Sequence, residues 1–401
     1  MSFHFTRQFL LLFGLGLPPF FLQAQTSIDV KSAIEQAMAQ YRYSLGLHKD
    51  SAGIPRSFVN GKVTYVPTDD WVSGFYAGSL WYLVELAGWN KLKDQGKKLE
   101  TAAMKYTLAL EKEQFNVAHH DVGFMMYCSY GNALRLRNKK EFEPILLQTA
   151  RSLCKRFNPK TGVIRSWGPI GDTSAYRTII DNMMNLELLF RATEISGDPS
   201  FRQIAIQHAN TTLKNHFRPD GSSYHVLHYD PETGAVLRKR THQGFNDESA
   251  WARGQSWGLY GFTMCYRFTE DPAYLAQAQK IAKFLMDHPN LPKDKIPYWD
   301  YNAPGIPNEP RDASAAALMA SALLELSQYA PKESATYRSF ARDILRSLTS
   351  PAYTAKTGTN GGFILEHSTG FKLGNSEIDV PLNYADYYHL EALKRWQDLK
   401  K

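Results

Sequence analysis

Apolar positions recur along this chain with helical rather than strand spacing. Tyr337, Phe340, Ala341, Ile344, Leu345 and Leu348 fall at i, i+3, i+4, i+7, i+8 and i+11, which places them on one face of a helix. Similar one-faced stripes begin at Phe142, Phe201 and Tyr274, roughly 60–70 residues apart. Two of them open with the same chemistry, Gly197-Asp198-Pro199 and Glu270-Asp271-Pro272, an acidic cap followed by proline in the first turn. Between the stripes lie segments that are apolar nearly all round and rich in Gly, Ala and aromatics: residues 74–88, 122–136, 182–190, 254–268 and 313–326. A helix apolar on every side is buried on every side. Strand signals are sparse, with short candidates at 62–66, 223–228 and 362–366.

One polar-faced and one all-apolar helix per period, about six times over, predicts an all-α closed toroid, the (α/α)6 barrel. The apolar helices form an inner ring and the polar-faced ones an outer ring. An open α-solenoid is the other arrangement of paired helices, and it calls for a tighter and more uniform repeat. With 401 residues, 43% hydrophobic, and no Pro/Ser-rich linker, the chain suits a single domain over 25–401.

The first 24 residues change the picture of where the protein works. His4 and Arg7 precede an almost wholly apolar run to Leu22, then Leu22-Gln23-Ala24 and a polar stretch. This is the pattern of a cleaved secretory signal. The run falls short of the roughly 20 residues a membrane span needs. Export to the periplasm or the medium is expected. Cys128, Cys154 and Cys265 are odd in number and sit in apolar helical patterns, so they read as buried free thiols. The net charge of +7 is scattered, and its longest cluster, Arg238-Lys239-Arg240, is too short for a nucleic-acid arm. A basic chain does favour an anionic small substrate.

In a ring of parallel inner helices, the residues just before each helix share one rim. Here they are Asp69-Asp70-Trp71, His119-His120-Asp121, Ile180-Asp181-Asn182, Trp251-Ala252-Arg253 and Arg311-Asp312. Asp121 and Asp181 open adjacent inner helices, and two facing carboxylates suit acid/base work on sugars. Asp is also a preferred helix cap, the role expected of Asp70 and Asp312. Trp71, Trp167, Trp251 and Trp257 lie in or near the same loops, and indole faces stack on sugar rings. The Arg253 fork fits a carboxylate. Neighbouring His119 and His120 are expected to diverge, and no HExxH-type spacing occurs, so no catalytic metal is expected. No GxGxxG or Walker pattern is present, so no nucleotide cofactor is implied.

Together these segments resemble the unsaturated glucuronyl hydrolases of glycoside hydrolase family 88. The resemblance runs through residues 119–124, 179–186, 251–258, 297–301, 311–315 and 377–382, covering most of the chain after the leader. It implies an (α/α)6 barrel and an unusual reaction. Polysaccharide lyases leave a 4,5-unsaturated uronic acid at a non-reducing end. Such enzymes remove it by protonating C4 and adding water at C5, after which the hemiketal rearranges and releases the remaining saccharide. By resemblance, Asp181 is the general acid/base and Asp121 the second essential carboxylate. His120, His225, Gln243 and Arg253 are polar contacts to the uronate, and Trp71, Trp167 and Trp257 are stacking walls. Tyr384 is a further pocket residue. Lys372, in the late loop 367–372, is read as a solvated surface lysine, with contact to a sulfate as the alternative. The implied partner is an unsaturated uronyl oligosaccharide of chondroitin, hyaluronan or heparin type, with no cofactor and no metal. A related hydrolase of unsaturated rhamnogalacturonan or ulvan fragments, a non-catalytic carbohydrate-binding protein and a protein-binding solenoid remain open at this point.

Overall fold

The computed structural model describes Met1 and residues 28–89, 93–172 and 176–399; apart from Met1, the predicted leader lies outside them. Six inner helical stretches run through Ser73–Trp89, 122–137, 180–196, Ala252–Thr269, Ala313–Tyr329 and Asn383–Asp398. The outer six are Val30–Leu47, Lys93–Leu108, Glu143–Cys154, Pro199–Asn215, Pro272–Asp287 and Ser334–Leu348. Each inner stretch packs on the next, and Asn383–Asp398 lies against both Ala313–Tyr329 and Ser73–Trp89. That last contact closes the ring, so the protein is an (α/α)6 barrel and not an open solenoid.

The inner helices are buried along their length because the ring surrounds them. Every residue from Ala252 to Cys265 and from Ala313 to Ser327 is buried. Small residues let the helices approach. A Cβ on Gly74 would collide with the Met125 carbonyl, and one on Gly78 with the Tyr387 ring. The outer helices start as their sequences predict. Asp198 and Asp271 cap the amides of Ser200 and Ala273, each with proline in the first turn.

Two inner stretches depart from regular helix. Residues 122–137 widen to a π turn over Tyr127–Gly131, where Ser129 and Asn132 donate side-chain hydrogen bonds to the carbonyls of Met125 and Cys128. The expected helix at 182–190 begins as a 3-10 turn, Ile180–Asn185, and becomes α-helical only from Leu186. Buried asparagines account for this. Asn182 donates to the carbonyl of Ile164, and the Asn185 side chain accepts the amide of Phe124. The second bond also fixes this turn against the helix start that follows Asp121.

The structure has more strand than the sequence suggests. Short antiparallel pairs join Ile54–Val59 to Lys62–Val66 and Ser368–Phe371 to Ser376–Val380, and Tyr176–Ile179, Val226–Tyr229 and Val236–Arg240 form a three-stranded sheet. The segment 362–366 contributes one isolated bridge, Thr354 to Leu365, and the strand begins at Ser368. Strands of four to six residues leave too little alternation to read. Cys128 and Cys265 are buried and free, while free Cys154 is half-buried. Among the described residues no helix is long and apolar enough to cross a membrane.

Candidate active site

The starts of the inner helices gather at one mouth of the barrel, around a cavity of about 300 Å³. Its wall includes Trp71, His120, Asp121, Trp167, Asp181, Gln243, Arg253 and Tyr384, all singled out in the sequence.

Asp121 occupies a helix N-cap position but makes no capping hydrogen bond. Its carboxylate instead meets two histidines, with Oδ2 3.1 Å from His119 Nδ1 and Oδ1 3.1 Å from His120 Nε2. The expectation that these rings diverge is therefore wrong. They precede the helix, where successive side chains are not splayed by its pitch. Burial pushes the Asp121 carboxyl up, but the His120 and His119 rings outweigh it and hold the group well below the usual carboxylate range. Asp121 is a fixed negative charge.

Asp181 is its opposite. Oδ2 is buried with no hydrogen-bond partner. Burial raises the carboxyl to about 7, against the pull of His120 and Arg253 and with added repulsion from Asp121. A carboxyl poised there can give up a proton and take one back near neutrality. Behind it stands His225, whose Nε2 lies 3.5 Å from Asp181 Oδ2, outside hydrogen-bond geometry. His225 Nδ1 accepts the backbone amides of His242 and Gln243, each at 3.2 Å. The ring therefore carries its proton on Nε2, facing Asp181. Burial keeps it neutral, with its pKa far below the usual histidine value.

Two sequence assignments need correction and a third is narrowed. Arg253 lines the cavity, but most of its fork is engaged by the protein. Its side chain is 1% exposed, and Nη1 donates to Asp312 at 2.8 Å and to the Thr369 carbonyl at 2.7 Å, while Nη2 donates to the Gly370 carbonyl at 2.6 Å. Nε–H and the second Nη2 N–H are left without a partner among the described residues. The charge of Arg253 still favours the ionised form of Asp181. Trp257 is not a stacking wall. It lies in the core, 1% exposed, with its ring parallel to Phe124 at 6.4 Å. Its place on a helix apolar all round decides this over its nearness to the rim. His225 stands behind Asp181 and is not part of the cavity wall.

The remaining residues are placed as follows. Trp71 lines the cavity beside Tyr384, with ring centroids 5.0 Å apart, and Trp167 lines it beside His242. Tyr384 brings a buried hydroxyl without a partner. Gln243 donates to the Gly370 carbonyl at 3.0 Å, the oxygen that also receives Arg253. The Gln243 loop is held from behind by Asp300, which accepts the Phe245 amide and the Ser249 hydroxyl. Asp312 caps the amides of Ser314 and Ala315, as expected, and also pairs with Arg253. Asp70 accepts the Val72 amide and pairs with Arg56. Lys372 is not in the cavity wall, although Gly370 and Phe371 are.

Sequence reasoning missed Arg56, His242, Phe371 and Glu377. All four line the cavity from hairpins or loops and not from helix starts. Arg56 grips Glu377 through Nε at 2.6 Å and Nη2 at 2.9 Å, and Asp70 through Nη1 at 3.0 Å. These residues are hundreds of positions apart in part, and no local spacing announces them. Among the described residues no group of three or more His, Cys, Asp or Glu side chains is placed to hold a metal ion.

An (α/α)6 barrel with a paired carboxylate and an unpaired, proton-bearing carboxyl in one aromatic-walled mouth defines a carbohydrate-active hydrolase. The model of Glycosyl Hydrolase Family 88 matches residues 60–398, and the chain belongs to that family. It is 50% identical over 335 residues to an unsaturated glucuronyl hydrolase of Formosa agariphila, covering 83% of this chain and 82% of the relative. An unsaturated chondroitin disaccharide hydrolase of Streptococcus agalactiae serotype III is 33% identical, with 92% of each chain covered. The crystal structure of an unsaturated glucuronyl hydrolase specific for heparin superposes with a TM-score of 0.87 at 48% identity, covering 92% of this chain and 97% of that one. The protein is a glycoside hydrolase.

Proposed function

We propose that this protein removes the 4,5-unsaturated uronic acid from the non-reducing end of lyase-generated glycosaminoglycan oligosaccharides, with Asp181 as general acid/base. One observation carries the assignment of Asp181: its Oδ2 is buried in the cavity without a hydrogen-bond partner, and the carboxyl is raised to about 7. The relatives' activities on glycosaminoglycan fragments support the substrate class.

Asp181 donates its proton to C4 of the enol ether, and C5 becomes electrophilic. The resulting carboxylate takes a proton from the water that adds at C5, which restores the acid. The hemiketal then opens and the remaining saccharide leaves. The proton taken up at C4 and the hydroxyl gained at C5 together amount to one water. Asp121, kept ionised by its two histidines, repels the carboxylate form of Asp181 and accepts hydrogen bonds from sugar hydroxyls. Trp71 and Trp167 supply apolar faces to the ring. The neutral His225 offers Nε2–H to Asp181 once it is ionised, as the proton leaves for C4.

Absorbance of the conjugated double bond tests this. Unsaturated chondroitin or heparin disaccharide loses its ultraviolet band with the wild type and keeps it with Asp181→Asn. An Asp181→Asn enzyme with near-wild-type turnover would overturn the assignment. Because the protonated form starts the reaction, kcat falls as pH rises through about 7. The apolar leader supports export to the periplasm or medium, and N-terminal sequencing of the exported protein, starting after Ala24, checks it.

A further inference from the structure

Arg56 sits where the pairing of Ile54–Val59 with Lys62–Val66 slips. Pro55 faces Tyr65 and Ser57 faces Thr64, so Arg56 is the extra residue of a β-bulge. A bulge re-aims the side chain it carries, and this one turns Arg56 into the wall of the catalytic cavity. There the guanidinium serves the protein. Nε and Nη2 hold Glu377 in a bidentate grip at 2.6 and 2.9 Å, and Nη1 holds Asp70 at 3.0 Å. The fork also lies 5.9 Å from the centre of the Trp71 ring. Two carboxylates share one cation, so its charge is met within the protein.

Glu377 is held in a strained place. Its φ is +55°, and Asn375 and Asp379, two residues to either side, have φ of +50° and +56°. Asparagine tolerates left-handed backbone; glutamate adopts it where its surroundings hold it there. The hairpin pairs Thr369 with Ile378 and Phe371 with Ser376, which sets Gly370 opposite Glu377. The two are in contact: a Cβ on Gly370 would lie 2.6 Å from Glu377 Oε2 and 2.8 Å from its Cβ. The base of the hairpin is fastened by other bonds. Thr369 Oγ1 donates to the Arg311 carbonyl at 2.8 Å, the Ala313 amide to the His367 carbonyl at 3.0 Å, and the Ser57 hydroxyl to the Pro381 carbonyl at 2.6 Å. Gly370 and Phe371 lie beyond those ties, toward the exposed tip at Leu373, and rest on Glu377.

Gly370 is where this pair meets the chemistry. Its carbonyl accepts Arg253 Nη2 and Gln243 Nε2, and the Thr369 carbonyl accepts Arg253 Nη1. Two of the three acceptors that orient the Arg253 fork, and the one that holds the Gln243 amide, therefore sit on the strand that Glu377 steadies. We propose that Arg56 and Glu377 form a clasp that fixes the Gly370 carbonyl and so aims Arg253 and Gln243 at the carboxylate of the unsaturated uronate. Both are positioning residues. The proposal rests on the functional reading above and adds what holds its two polar contacts in place. A fork aimed a few tenths of an ångström off loses the planar match that makes its bonds to a carboxylate strong.

Calorimetric titration in an Asp181→Asn background, where the ligand is not consumed, tests the clasp. The two ligands are an unsaturated disaccharide with a free uronate carboxylate and the methyl ester of the same sugar. Glu377→Gln keeps the shape of the side chain and removes the charge that Arg56 grips. It should weaken the free acid about tenfold and the ester by less than about twofold, as for lost aim on a charge-assisted contact. Gly370→Ala drives a methyl into the Glu377 carboxylate and should give the same pattern from the other side. Arg56→Gln should match Glu377→Gln, and the double variant should lose no more than either alone, because the pair acts as a unit. With Asp181 intact, the same variants should raise KM about tenfold and leave kcat within about threefold. Equal weakening of acid and ester would reduce the pair to a merely structural role. Additive losses would mean that Arg56 or Glu377 meets the ligand directly. Either result overturns the proposal, as does an unchanged affinity. If the wild type turns over nothing, the functional reading fails, while the affinities for acid and ester still decide the clasp; no binding of either ligand then overturns it as well.

Discussion

The two mouths of the barrel hold cavities of similar size, about 300 Å³ at the helix starts and about 330 Å³ at the helix ends, yet only the first leaves a carboxyl oxygen, Asp181 Oδ2, buried without a partner. At the helix ends each cation has an acid beside it. Arg135 is 2.8 Å from Glu85, Arg267 3.1 Å from Glu187, Arg395 2.8 Å from Glu325 and Lys394 2.7 Å from Asp398. Glu391 receives Tyr82, Tyr260 and Ser321. At the helix starts, Asp181 Oδ2, His225 Nε2, His120 Nδ1 and the Tyr384 hydroxyl are buried without partners. Two carboxyls make the contrast concrete. Burial pushes both up, but Arg267 and Arg395 outweigh it at Glu325 and lower its pKa, while nothing comparable reaches Asp181, which rises to about 7. A cavity marks room; an unpaired group in it marks chemistry. A raised pKa alone does not. Asp386 also rises to about 7, but it accepts the amides of Ile364 and Leu365 and the Tyr41 hydroxyl, and it lies outside the catalytic cavity.

The largest effect expected from breaking this contrast is on turnover. Asp181→Asn should lower kcat by about 10³-fold or more, within the range of lost acid/base catalysis. Glu325→Gln should leave kcat within about twofold, because it acts far from the reacting atoms; both are read from the ultraviolet band. Stability reverses the order. Glu325→Gln leaves Arg267 and Arg395 short of a counter-charge and should cost about 3 kcal/mol in denaturant unfolding. Asp181→Asn should instead stabilise the protein by about 1–3 kcal/mol at pH 8, because it removes a buried, unpaired charge. The pH dependence carries the same sign. With a folded pKa near 7 and an unfolded one near 4, Asp181 binds its proton more tightly in the folded protein, so its contribution to stability falls as pH rises between those values. Glu325, lowered in the folded protein, contributes above its unfolded pKa and loses that contribution as pH falls through its folded value. Asp121→Asn sharpens the difference within the rim. It releases His119 and His120 and removes the repulsion on Asp181, and should cost about 10²-fold in kcat and shift the falling limb of the pH profile to lower pH.

The ring was legible because it is written in periodicity. All-apolar helices alternate with one-faced ones, and Asp121 and Asp181 stand where inner helices begin. The outer wall of the site was less legible. Arg56 and Glu377 meet across 321 positions, between two hairpins too short to announce themselves. The histidine pair closes on Asp121 through loop geometry that no spacing rule describes. Trp257 and Arg253 show the limit from the other side. Their residue types suggested sugar stacking and carboxylate binding, but whether an indole faces a pocket or the core, and how much of a fork remains after Asp312 and two carbonyls are served, is settled by packing.

Difference infrared spectroscopy of wild type against Asp181→Asn, followed across pH, tests most directly the claim that Asp181 keeps its proton because the rim leaves it unpaired. The difference removes Asp386 and every other carboxyl. A protonated carboxyl signal that disappears with a midpoint near 7 is the expected result. A carboxylate signal already complete at pH 5 would contradict it.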